Sequence, residues 1–109
     1  MNKVQPRSAL PKSITVNQSK IHGLGLFATE DIAKGVELGI SHVEDEDAKD
    51  GLIRTPLGAF VNHSYTPNAD LLDGRKEWVL VAAKEIKTGD EITIDYTPWS
   101  GPEVLEGYN

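Results

Sequence analysis

Apolar and polar residues alternate along most of this chain in short runs separated by turn residues, a pattern that predicts strands rather than helices. Ile14 and Val16, followed by Ile21, predict a first strand. Gly23 and Gly25 mark a turn, and Leu24, Leu26 and Phe27 surround and follow it. Residues 28–40 predict a strand–turn–strand unit around Lys34-Gly35. Leu71, Leu72 and Trp78 to Val81 predict a hairpin around Asp73-Gly74, because Asp-Gly favours left-handed turn positions. Ile92, Ile94 and Tyr96 alternate as a late strand, after which Pro98, Gly101 and Pro102 end regular structure. No window of helical length carries a clean 3.6-residue period, so the predicted class is mainly β.

An internal repeat strengthens that reading. Residues 28–40 (ATEDIAKGVELGI) and 82–94 (AAKEIKTGDEITI) share Ala, Ile, Gly, Glu and a final Ile at the same offsets. Each predicts a hairpin with its turn at Gly35 or Gly89, and two such units suggest a pseudo-symmetric β fold made by duplication. Between them, Glu44, Asp45, Glu46, Asp47 and Asp50 form an acidic stretch ending at Gly51, expected to be a solvated loop or a short frayed helix.

Composition narrows the function classes. A chain of 109 residues suits one small domain: an N-terminal arm over 1–12, the domain over 13–100 and a tail over 101–109. No apolar run approaches membrane-spanning length, and the first residues carry no signal-peptide stretch, so an intracellular protein and no membrane partner are expected. Cysteine is absent, which excludes disulfides and thiolate zinc sites. His22, His42 and His63 show no ligand spacing, so no metal is expected. The net charge of −6 disfavours direct nucleic-acid binding and suits a basic partner, although such a charge also simply keeps a protein soluble.

Three segments carry candidate chemistry. Ile21 to Ala28 contains Gly23-Leu24-Gly25, where glycines let the backbone approach a ligand and expose amides to a carboxylate; most such pairs are only turns. Phe60 to Asn68 contains Asn62-His63-Ser64 and Pro67-Asn68. Local capping accounts for Ser64 and Asn68, whereas Asn62 and His63 directly follow the apolar Leu57 to Val61 and are drawn inward, where they need partners. Gly89 to Tyr96 ends in a tyrosine that in isolation reads as a core residue.

Together these segments resemble the SET-domain family of protein lysine methyltransferases. The family's Gly-x-Gly is matched by Gly23 to Gly25, its Asn-His-Ser-x-x-Pro-Asn by Asn62 to Asn68, and its Gly-[Glu/Asp]-Glu-apolar-Thr-apolar-x-Tyr by Gly89 to Tyr96. The resemblance spans about residues 14–96 and looks like the compact viral and bacterial members. It implies a fold of small curved β-sheets with a threaded, knot-like C-terminal segment, and S-adenosylmethionine as cofactor. The implied cofactor residues are Gly23, Leu24 and Gly25, Asn62 on the amino group, the His63 backbone at the adenine, and Trp99 as a cover. Tyr96 would be the catalytic tyrosine, and Tyr65, Glu44 and Asp45 would face the substrate, a protein lysine in a basic, histone-like tail. The segment between the early strands and Asn62 is shorter than the family's usual insert. A homodimer that completes the groove, and a location in the cytoplasm or in a host nucleus for a viral protein, follow as expectations. The alternative is a non-catalytic β module of the same shape that binds a peptide or protein.

Overall fold

The structure is a computed structural model that describes residues 10–48 and 51–97. Two four-stranded sheets enclose one core. The first has the order β1-β2-β8-β5, with β1 Ile14–Gln18, β2 Leu24–Ala28, β5 Asn62–His63 and β8 Glu91–Ile94. The second has the order β4-β3-β7-β6, with β3 Glu37–Glu44, β4 Leu52–Arg54, β6 Ala69–Asp73 and β7 Glu77–Ala82. A single helical turn, α1 Pro56–Phe60, precedes β5. Leu26, Leu80, Ile86 and Ile92 are fully buried between the layers, each stabilising the fold by roughly 1.5–3 kcal/mol.

The internal repeat is real, but its pairing differs from the expected hairpins. The two strands of each copy do not pair with each other; β2 pairs with β8 and β3 with β7, across the copies. The contacts come in matched sets. Ile32 and Ile86 exchange both backbone hydrogen bonds. Gly35 N–H donates to the Ala82 carbonyl as Gly89 N–H donates to that of Ala28, both at 2.8 Å. Phe27 lies opposite Glu91 as Val81 lies opposite Glu37. The duplicated unit therefore forms an intertwined pair with approximate two-fold symmetry. Gly35 and Gly89 (φ 91° and 92°) turn the chain from one sheet into the other. Asp31 ties the copies at the surface, where its Oδ1 accepts the Thr88 backbone N–H and hydroxyl. Those two hydrogen bonds hold the Asp31 carboxyl below its ordinary value.

Three smaller expectations are corrected. β3 runs on to Glu44, so the loop in the acidic stretch starts only at Asp45. In the β6–β7 hairpin Arg75, not Gly74, takes the left-handed conformation (φ 84°), stabilised because Asp73 Oδ1 accepts its N–H. β8 stops at Ile94, leaving Tyr96 just past the strand. The helix α1 also escaped the pattern, since five residues are too few to show a period. Pro56 suits its first turn. Gly58 is required there: a Cβ would lie 2.2 Å from the Ser41 carbonyl oxygen.

Candidate active site

The β1–β2 turn is organised by Ser19. Its Oγ accepts the Ile21 and His22 N–H groups and donates to the Glu91 carboxylate at 2.8 Å. The Ser19 N–H closes the turn on the Gly23 carbonyl. Glu91 opens β8, whose neighbour in the sheet is β2, so its carboxylate lies beneath the turn. Asn62 reaches the same point from the other side, since β5 runs parallel to β8 with Asn62 opposite Thr93. The Asn62 amide is buried and its Nδ2 faces three acceptors: the His22 carbonyl at 3.1 Å, the Leu24 carbonyl at 3.2 Å and Glu91 Oε2 at 2.9 Å. Acceptors on that side fix the amide orientation and leave Oδ1 to receive a donor.

The two glycines of the turn have different reasons to be glycine. Gly23 adopts φ 48° with open space around it, so conformation alone selects it. Gly25 is selected by space, because a Cβ would stand 2.2 Å from Glu91 Oε2 and 3.1 Å from Asn62 Nδ2. Only glycine lets β2 lie directly on this polar cluster.

A second cluster adjoins the first along β5 and β8. His63 Nδ1 accepts the Tyr96 backbone N–H at 2.9 Å, which places the imidazole proton on Nε2. That Nε2 is buried with no hydrogen-bond partner among the described residues. The Tyr65 ring stands perpendicular to the imidazole, centroids 4.3 Å apart, and the Tyr96 ring lies 5.4 Å away. The Tyr96 hydroxyl donates to the Val61 carbonyl. Its proton is thereby committed, and its oxygen lone pairs are what it can offer to another molecule. Asp95 is lowered from the ordinary carboxylate value by the Thr97 hydroxyl, then the Thr97 N–H, with a smaller contribution from His63. Asn68 locks the loop onto β8: its Nδ2 donates to the Glu91 carbonyl and its Oδ1 accepts the Thr93 N–H. The run from Asn62 to Asn68 thus grips β8 from both ends.

Gly23, Leu24, Gly25 and Asn62 therefore come together in one cluster, and His63, Tyr65 and Tyr96 in the next. Glu44 and Asp45 lie elsewhere, at the β3–β4 turn of the second sheet. Trp99 falls outside the described residues. Ser19 and Glu91 are the polar residues that sequence reasoning missed. A signal existed for Glu91, a carboxylate inside a strand motif, but an isolated strand gives no hint of what it faces.

The geometry can now be set beside known proteins. The SET domain profile matches residues 41–97, more than half of the chain. An H3 lysine-4 specific histone-lysine N-methyltransferase from Schizosaccharomyces pombe is 27% identical over 81% of this chain. The trithorax histone-lysine N-methyltransferase of Drosophila virilis is 27% identical over 76% of it. The chain spans only 13% and 3% of the length of these relatives. A solved Plasmodium falciparum structure, provisionally assigned as a histone methyltransferase, superposes with a TM-score of 0.65 at 25% identity; the match covers 80% of this chain and 95% of that one. An autoinhibited ctPRC2 bound to S-adenosylmethionine shares the fold, with a TM-score of 0.64 at 18% identity over 88% of this chain and 17% of that one.

The fold is that of these solved structures, and in it the glycine turn meets the Asn-His-Ser loop through Asn62. The chain belongs to the SET-domain family.

Proposed function

We propose that this domain transfers a methyl group from S-adenosylmethionine to a lysine side chain of a protein. The observation that carries the reading is the meeting of Gly25, Asn62 and Glu91 under the β1–β2 turn, one strand from Tyr96. The residues fit the cofactor. Asn62 Oδ1 suits its ammonium group, the backbone around Leu24 suits its methionine end, and the backbone around His63 suits its adenine. Kinship with relatives named histone-lysine N-methyltransferases, and the fold shared with a complex bound to S-adenosylmethionine, support the same assignment.

The cofactor supplies an electrophilic methyl group, and the protein's task is alignment. Methyl transfer to an amine is an in-line displacement that gains most from holding the reactants at near-attack distance. A Tyr96 hydroxyl that donates its proton to the Val61 carbonyl presents an acceptor to a lysine N–H, which turns the nitrogen lone pair toward the methyl group. The lysine must be neutral to attack, and the apolar face of the partly buried Tyr96 favours that form over the ammonium. Isothermal calorimetry with S-adenosylmethionine tests the cofactor half of this reading. Stoichiometric binding by the parent chain is expected, and no heat at millimolar cofactor would refute it.

The substrate we infer is a lysine- and arginine-rich, histone-like tail. Glu44, Asp45, Glu46 and Asp47 carry this part, gathered at the β3–β4 turn. Because the turn lies on the other sheet from Tyr96, its effect is long-range steering, and it weakens as salt rises. Replacing these four residues with serine or asparagine is expected to raise the apparent KM for a basic peptide at low salt and flatten its salt dependence. Cofactor binding should not change. Superimposable salt curves for variant and parent would remove the steering role.

A further inference from the structure

Among the described residues, the outward face of the second sheet is apolar, contiguous and at least partly exposed. Side chains alternate along each strand, so the positions pointing away from the buried Leu71, Leu80 and Ala82 share the other face. Cross-strand register then places Leu72 beside Val79, Val79 beside Ile40, and Val43 beside Ile53, with Val81 next in line. Leu72, Ile53 and Ile40 are 51%, 47% and 39% exposed, and the three valines are partly exposed. Single exposed apolar side chains need no explanation, but a patch that crosses all four strands of a sheet marks an interaction surface.

The charges on this face select its occupant. Glu37 and Asp70 flank Val81, and Glu77 lies opposite Val43. Among the described residues, no lysine or arginine occupies a strand position on this face. A second copy of the chain would bring these carboxylates against their own kind, which costs stability. A partner with apolar side chains interspersed with Lys or Arg satisfies both the patch and its rim.

The approximate two-fold symmetry gives this face its place in the fold. Its mate on the first sheet carries Gly25, Phe27 and Glu91, the wall of the candidate active site. At the corresponding positions the second sheet has Val79, Val81 and Glu37. Valine fills the space that glycine opens in the first sheet, so this face offers apolar contact in place of a polar pocket.

We infer that the face formed by Ile40, Val43, Ile53, Leu72 and Val79 docks a basic, apolar segment of a partner protein, separately from the lysine-accepting site. The test uses two short probe peptides, one alternating lysine with valine and one alternating glutamate with valine, titrated into the nitrogen-15-labelled chain while its amide resonances are followed. The lysine–valine peptide is expected to shift residues 37–43, 53, 70–72 and 77–81, and to bind at least roughly tenfold tighter than the glutamate–valine peptide. The triple variant Glu37→Lys, Asp70→Lys, Glu77→Lys changes two exposed positions and one half-buried one, and is expected to reverse that preference. Equal responses to the two peptides would overturn the proposal. So would shifts confined to His63, Tyr65 and Tyr96, which would mean that the peptide occupies the candidate active site alone. Concentration-dependent shifts on this face without peptide would assign it to a second copy and overturn it as well.

Discussion

Gly25→Ala is expected to weaken S-adenosylmethionine binding by roughly 10- to 100-fold, and Gly23→Ala to leave most of it intact. The two glycines sit in one turn, yet a methyl group meets different surroundings at each. At Gly25 the new Cβ would fall 2.2 Å from Glu91 Oε2. The carboxylate has to move, and it then loses the Ser19 hydroxyl, the Asn62 amide, or both. Asn62 in turn loses one of the three acceptors that fix its orientation. A hydrogen bond to a charged group is worth about 1.5–3 kcal/mol, which sets the size of the loss. At Gly23 the Cβ meets nothing, and the cost is the left-handed backbone, about 1–2 kcal/mol of stability. Asn62→Ala should match Gly25→Ala in calorimetry while retaining a cooperative thermal transition. Equal losses at Gly23 and Gly25, or full affinity in a folded Gly25→Ala protein, would show that the Glu91–Asn62 cluster does not shape the cofactor site.

Tyr96→Phe is expected to lower kcat by on the order of 10²- to 10³-fold, the usual loss when one preorganised polar contact at a reaction centre is deleted. Cofactor affinity should stay within a few-fold of the parent. The substitution also leaves the Val61 carbonyl without its donor, so stability should fall by about 1 kcal/mol. That fall is small enough to leave the protein folded and visible in a thermal melt. A tyrosine serving only to pack against His63 predicts the same stability change with turnover unaltered. Single-turnover methyl transfer to a lysine peptide separates the two, since it reads the chemical step without product release.

The sequence exposed the candidate site residues more fully than the pairing that unites them. Asn62, His63 and Tyr96 stand in motifs spelled out along the chain, and Gly89 and Gly35 announce their turns. Which strand pairs with which is a different matter. Both copies of the repeat look like hairpins locally, because a glycine turn between two apolar runs is the usual hairpin signal. Here each glycine directs the chain into the opposite sheet, and only the long-range bonds from Gly35 to Ala82 and from Gly89 to Ala28 reveal it. Arg75 took the left-handed position because the Asp73 side chain stabilises that turn, an effect composition alone does not rank above Asp-Gly. Glu91 and Ser19 were hidden for the same reason as the pairing. Their roles exist only once β8 lies beside β2, 72 residues separating the two partners in sequence. The acidic stretch was visible as charge, while its division into the end of β3 and a short loop was not.

Transfer of an isotopically labelled methyl group from S-adenosylmethionine to lysine-rich, histone-like peptides, read by mass spectrometry of the peptide, tests the central claim most directly. The account predicts label on a lysine nitrogen in the presence of the parent chain, and loss of nearly all of it with Tyr96→Phe. Cofactor binding by the parent without label on any lysine would contradict it and leave a SET-fold module that binds without catalysing.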